Sequence, residues 1–258
     1  MSDPILVRPR HHYDSYNDLW ELVRLSDFPT CYIDELDPHS DHLYILPTRN
    51  GEVGEGWPDA TARIIHWNLE WDIYPDLPGV SEVWHSDRWF AQHSGAKHVP
   101  MGSHPGLKPS DLEYVPDIAY DVAFLGYMIP RRQQVWTWMK ERNLRVTTNG
   151  AWGADRHRLL MGSAIYGHIH QHEDKPGLPP LRLVVAAAYS LPFISETVAD
   201  QEQLGYTYFM QADYAHFAEF VQMWTHDINR TRLQDYGAAL HDRLCRDLTF
   251  RRSVERAV

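Results

Sequence analysis

Chemistry-bearing residues gather in a few short segments of this chain. In FLGYMIPRR, Gly126 is followed six residues later by the second of two adjacent arginines, Arg131 and Arg132. A glycine at a strand end, a short loop and a helix start with two guanidiniums would make a cradle for a diphosphate, because backbone N–H groups at a helix N-terminus are electropositive. Arginines in a first helical turn oppose the helix dipole, which points to a ligand as the reason for them; a solvated pair is the plain alternative. In GHIHQHED, His168, His170 and His172 recur at period two and would share one face of a strand. That spacing suits zinc or iron. The alternative is a strand ending near His170, with His172 in a loop and one imidazole turned to a ligand. In IIHWNLEWD, His66, Asn68, Glu70 and Asp72 fall in one alternating register, and Glu70 or His66 could accept a proton from an incoming hydroxyl. EVWHSDRW repeats the arrangement with His85 and Asp87. Finally, PPLRLVVAAAYSLPFISE carries Arg182 near a helix start and Glu196 at the tip of a short apolar strand.

The elements that must position these residues read as alternating strands and helices. ILV at Ile5 to Val7 precedes a helix opened by Ser15, with Leu19, Trp20, Leu22 and Val23 on its buried face. CYIDEL, HLYILP, ARIIHWNLEW and EVWHSD have strand length and are bounded by Asp, Pro or Gly. Residues 103–119 are rich in Pro, Gly and polar residues and form the expected linker. Beyond them come a strand at Tyr120 to Tyr127, a helix over 130–142 with Val135, Trp138 and Met139 on one face, and a strand at LRVTTNG. A short helix at ADRHRLLMGS, a strand at AIYGHIH, a helix at LRLVVAAAY and strands at PFIS and YTYFMQ follow. A helix over 214–227 and one long helix with Leu233, Tyr236, Leu240, Leu244 and Leu248 close the chain. Such alternation implies parallel strands joined by right-handed crossovers. The expected architecture is therefore α/β, two Rossmann-like lobes with parallel sheets facing a cleft. Residues 1–102 would form the first lobe and 120–258 the second. Ligands in such sheets sit at the carboxyl ends of strands, where Gly126, Asn149, His170, Glu196, Glu70 and Asp87 are the tips to inspect.

Composition narrows the classes. The chain has 258 residues, 43% of them hydrophobic and 23% charged, as in a globular protein with a sizeable core. Its 24 basic and 35 acidic residues leave a net charge of −11, which argues against a surface that tracks a polyanion throughout. Cys31 and Cys245 are far apart and in no metal-type spacing. No apolar run reaches membrane-spanning length and no signal-like leader is seen, so a cytoplasmic location is expected. The signatures G-x-S-x-G, C-x-x-C, H-E-x-x-H and the P-loop are absent.

VPMGSHP, YDVAFLGYMIPRRQQVW, LRVTTNGAWG, AIYGHIHQHED and PPLRLVVAAAYSLPFISE, in that order between Val99 and Glu196, resemble the donor-binding half of small two-lobed, GT-B-like glycosyltransferases. The likeness is to the spore-maturation-protein group of group 1 glycosyl transferases, which also occurs in bacteriophages. The resemblance implies transfer of a sugar from a nucleotide-diphosphate donor, with no other cofactor, to a hydroxyl acceptor: a hydroxymethylated DNA base, a protein or a glycan. It places Gly126 with Arg131 or Arg132 at the donor diphosphate, His170 beside the reacting sugar, and Arg182 with its helix start at the nucleotide. Glu70 or His66 would act on the acceptor. No Asp-x-Asp occurs, so metal-independent transfer is expected. The family glutamate that holds the ribose aligns with Val185, and a family glycine aligns with Ser190. A valine accepts no hydrogen bond. Either Glu196 or another polar group takes that task, or the donor binds differently, or the chain is a non-catalytic nucleotide-sugar-binding module.

Overall fold

Short apolar runs flanked by Asp, Pro and Gly become parallel strands in the computed structural model, which describes residues 3–10, 17–48, 57–69, 77–110, 118–147, 154–174, 176–200, 209–226 and 229–258. The chain divides into two compact units. One comprises 1–102, 179–181 and 248–258, and the other 103–178 and 182–247.

The first unit holds β1 (Ile5–Arg8), α1 (Asn17–Leu25), β2 (Thr30–Tyr32), β3 (Leu43–Thr48), β4 (Arg63–Asn68), β5 (Glu82–His85), α2 (Arg88–Ser94) and β6 (Lys97–His98). Its sheet is parallel throughout, in the order β2-β1-β3-β4-β5-β6. Ile64 to Asn68 are all buried, as expected of a central strand whose two faces are both covered. Helix α1 buries the expected Leu19, Trp20, Leu22 and Val23, while its expected cap, Ser15, lies outside the described residues. The segment α2–β6 was not foreseen. It forms because Asp87 accepts from the Phe90 N–H at 3.1 Å and so caps α2, which Gly95 ends at φ 72°. Three tryptophans, Trp57, Trp67 and Trp84, are buried to within 1% of full and serve packing.

The second unit holds β7 (Tyr120–Ala123), α3 (Pro130–Glu141), β8 (Val146–Thr147), α4 (Ala154–Met161), β9 (Ser163–His168), α5 (Pro180–Ala188) from Arg182 onward, β10 (Phe193–Glu196), β11 (Met210–Ala212), α6 (Phe217–Thr225) and α7 (Arg230–His241). Its parallel sheet runs β11-β10-β9-β7-β8. Val122, Phe124, Ile165 and Ile194 from the strands pack with Val135 and Met139 of α3 and Phe217 and Val221 of α6. The strand order reverses between β7 and β9. In a doubly wound sheet that reversal opens a crevice outside the carboxyl ends of the two strands.

The long closing helix read from the leucine spacing is instead broken. Helix α7 loosens into wider π-type turns over Asp242–Asp247, and Thr249 then caps α8 (Phe250–Glu255) by accepting from the Arg252 N–H at 3.2 Å. Residues 248–258, assigned from sequence to the second lobe, cluster with the first unit. There Phe250 stacks on Trp67 at 5.5 Å, and the Gly102 N–H donates to Ser253 Oγ at 3.0 Å.

Candidate functional site

The switch point between β7 and β9 is where the sequence placed its glycine, arginines and histidines. The strand hydrogen bonding of β7 continues to Phe124, whose N–H donates to Thr147 O at 2.9 Å, and the chain then turns at Gly126 with φ 152°. Only glycine takes that conformation readily. The turn also needs a residue without a side chain, because a Cβ on Gly126 would lie 2.5 Å from Nη2 of Arg182 and 3.4 Å from Nη1 of Arg132. Two guanidiniums therefore rest on one bare backbone.

Helix α3 starts at Pro130, whose fixed φ and missing N–H suit a first helical position. Successive residues on a helix point about 100° apart, so the adjacent arginines reach different partners. Arg131 makes a bidentate ion pair with Glu196 at the tip of β10, lies 3.9 Å over the Tyr214 ring, and reaches His170 O at 3.3 Å. The Glu196 carboxylate raises its pKa. Arg132 shares the buried face with Val135 and Met139 and is 2% exposed. Its Nε donates to Ile169 O at 2.9 Å and its Nη1 to Tyr127 O at 3.1 Å. Burial, with Arg182 and Arg131 nearby, pushes the Arg132 pKa down to about 9.

At the end of β9 the two histidines are buried. His168 Nδ1 lies 2.6 Å from Nη1 of Arg182, His168 Nε2 lies 3.4 Å from His170 Nδ1, and His170 Nε2 lies 3.0 Å from Thr197 O. Burial, then the neighbouring Arg182, holds His168 well below the usual imidazole range. Burial also lowers His170, against the opposing pull of Glu196. Of the two readings of this segment the structure matches the second: the strand ends at His168, and His172 lies beyond it and is exposed.

The structure thus brings together Gly126, Arg131, Arg132, His170, Arg182 and Glu196, and adds His168 and Tyr214 to them. Glu196 is engaged by Arg131 and the His170 N–H, not left open for the ribose as the resemblance allowed. One oxygen faces Arg131 alone, and the other accepts from Arg131 at 2.5 Å and from the His170 N–H at 3.0 Å. Among the described residues neither Arg132 nor Arg182 makes an ion pair, and the nearby charge of Glu196 favours the Arg132 cation at the Gly126 turn. Such a site can hold an anion. Tyr214, whose hydroxyl donates to Arg131 O at 2.8 Å, had no local signal because it lies 83 residues away in sequence.

The first-unit expectations fare differently. Glu70 and Asp72 lie outside the described residues, as does Asn149. His66 is fully buried in the middle of β4, paired with Leu46 and Val83, on the same face as Ile64. A base must reach its substrate, so the proton-accepting role expected of His66 has no support there. Asp87 is the cap of α2, and His85 accepts the Asp87 N–H at 3.0 Å while stacking on Phe90. Both serve that helix start. Burial raises the thiols of Cys31 and Cys245 to about 11. No described helix is long and apolar enough to cross a membrane.

No protein-family model matches the chain, and no curated protein matches its sequence. Solved structures match its fold. The glycosyltransferase AviGT4, involved in avilamycin A biosynthesis, gives a TM-score of 0.64 at 12% identity over 99% of this chain and 96% of that one. A glycosyltransferase from Rickettsia africae ESF-5 gives 0.58 at 9% identity, covering 99% and 97%. An α1,3-fucosyltransferase gives 0.52 at 9% identity, covering 98% and 88%. The chain shares with them the α/β fold of two parallel sheets, GT-B-like in type.

Proposed function

We propose that this protein is a glycosyltransferase of the small two-lobed kind resembling the spore-maturation-protein group, moving a sugar from a nucleotide-diphosphate donor to a hydroxyl acceptor. One observation carries the reading. Arg132 and Arg182, unpaired with any described carboxylate, converge on the side-chain-free turn at Gly126, at the switch point of a parallel sheet. When the acceptor oxygen bonds to the sugar's anomeric carbon, the bond to the diphosphate breaks and its electron pair leaves with the phosphate oxygen. Guanidiniums fixed beforehand at that position favour the charge as it develops. They supply this without calling on a metal ion. Arg131 shapes the site by tying α3 to β10 through Glu196.

The acceptor proton is assigned to Glu70, the remaining first-unit candidate from the sequence, and Glu70→Gln should lower turnover without weakening donor binding. The acceptor itself is a hydroxyl on a glycan, a protein or a modified DNA base. With a net charge of −11, duplex DNA is the least favoured of these.

A panel of nucleotide-diphosphate sugars in a thermal-shift assay tests the donor site. A ligand at 100 times its dissociation constant adds about 2.7 kcal/mol of stability. The shift should vanish in Arg182→Ala. A shift that persists unchanged in that variant would show the donor to bind elsewhere.

Val185 favours a second reading, a non-catalytic nucleotide-sugar-binding module. It is 3% exposed within a helix whose residues 183–188 are all buried, and no carboxylate replaces it there. Slow hydrolysis of the bound donor by purified protein separates the two, since a mere binder releases its ligand intact.

A further inference from the structure

Arg182 has one side-chain hydrogen bond among the described residues, the 2.6 Å contact with His168 Nδ1. An arginine side chain is flexible, and one held by a single partner takes its position from that partner. His168, at the end of β9, is only 4% exposed.

The contacts around it admit one placement of protons. A carbonyl oxygen only accepts, so His170 Nε2, 3.0 Å from Thr197 O, carries hydrogen and leaves His170 Nδ1 with its lone pair. That lone pair receives the hydrogen on His168 Nε2 across 3.4 Å. His168 Nδ1 is then bare and accepts from Arg182, which can only donate. Both ends of the chain are fixed in polarity, one by a carbonyl and the other by a guanidinium. A second proton on His168 would set an N–H against an N–H. The charged groups around the pair are Arg182, Arg132 and Arg131 on one side and Glu196 at His170, and burial with the arginines favours the neutral ring.

We propose that His168 is the positioning residue for Arg182: its neutral Nδ1 lone pair holds the guanidinium over Gly126, in a tautomer dictated from Thr197 through His170. The inference rests on the diphosphate reading and deepens it, by assigning the cation's geometry to a histidine that need not touch the ligand.

Binding of inorganic pyrophosphate at pH 8 by the whole protein, measured by calorimetry, tests it in four forms: wild type, Arg182→Ala, His168→Leu and His168→Asn. His168→Leu should weaken binding by on the order of tenfold, as expected for loss of a hydrogen bond to a charged group. His168→Asn, whose Oδ1 sits near the Nδ1 position, should restore most of it, which a purely packing role would not explain. Imidazole nitrogen NMR of the wild type should show His168 with bare Nδ1 and protonated Nε2 throughout pH 6 to 8. Pyrophosphate binding weakened by Arg182→Ala but untouched by His168→Leu would overturn this inference alone, and so would a doubly protonated His168 at pH 7. Failure of the wild type to bind pyrophosphate would overturn the diphosphate reading and this inference's ligand with it.

Discussion

Gly126→Ala probes the site with a single added methyl group. Two costs can be worked out separately. At φ 152° an alanine backbone is strained by about 1 to 3 kcal/mol, and this cost is independent of any neighbour. The new Cβ would also lie 2.5 Å from Arg182 Nη2, where an ordinary contact is about 3.5 Å, so a guanidinium must retreat by roughly 1 Å. Arg132 is held by two carbonyls at 2.9 and 3.1 Å, whereas Arg182 is held by one imidazole, so Arg182 yields. A retreat of about 1 Å is enough to break its hydrogen bond to His168. Urea denaturation should therefore show a stability loss of about 1 to 3 kcal/mol, and pyrophosphate affinity should fall by on the order of tenfold. Combined with Arg182→Ala, the strain should persist while the affinity cost of Gly126→Ala disappears, because the displaced group is gone. Calorimetry and urea titration of the four proteins in this cycle give both quantities. Affinity losses that simply add would refute the argument that Gly126 acts through Arg182.

Glu196→Ala should destabilise the protein by about 1 to 3 kcal/mol in urea denaturation, because it leaves the partly buried Arg131 and the buried His170 N–H without their carboxylate. Glu196→Gln should cost less. Stability should also depend on pH through His168 and His170, both of which burial lowers. The unfolded chain takes up protons near pH 6.5 and the folded chain does not, so their contribution is complete above about 6.5 and is lost as pH falls, by up to ~1.4 kcal/mol per pH unit for each ring. Urea midpoints from pH 7.5 to 5.5 should show this slope, and His168→Leu should reduce it. Ser190→Gly should raise the melting temperature, adding about 1 kcal/mol, because Ser190 sits at φ 54° where glycine is unstrained. An unchanged melting temperature would mean that the serine conformation carries no strain.

Position 190 shows how a glycine conformation can be kept with a different residue. Helix α5 ends as a Schellman turn, with the Ser190 N–H donating to Ala187 O at 3.0 Å and the Leu191 N–H to Ala186 O at 2.9 Å. The resemblance puts glycine at 190, and the backbone keeps the glycine conformation. Gly237 of α7 accommodates the turn, since a Cβ there would overlap the Ser190 carbonyl. Local signals of this kind were legible: strand tips, helix starts, and the common face of His168 and His170. Partners distant in sequence were not. Arg131 and Arg132 look equivalent in the string PRR, and only helix phase separates them. Arg132 shares the stripe of Val135 and Met139, a signal present in the sequence, whereas nothing local marks Glu196 as Arg131's partner 65 residues on. The helix α2 was hidden because Asp87 reads as a strand-tip carboxylate as readily as a cap. The break in the closing helix leaves no mark in the sequence, because Leu240 and Leu244 keep a helical spacing into the π-type turns.

The valine at 185 bears on the whole charge balance. Within the cluster, the carboxylate of Glu196 is committed to Arg131, and burial favours the neutral forms of His168 and His170, which share one hydrogen bond. What remains is the charge of Arg132 and Arg182. Arg132 carries it at a cost visible in its pKa of about 9. A carboxylate on α5 would add negative charge to this unit, whereas a buried valine adds none and offers no oxygen to a ribose. On the donor reading proposed above, recognition would therefore rest on the charge of the diphosphate more than on the nucleoside attached to it. A dianion placed on the Gly126 turn relieves the mutual repulsion of the two guanidiniums, which is a larger electrostatic reward than any single neutral hydrogen bond to a sugar hydroxyl could give.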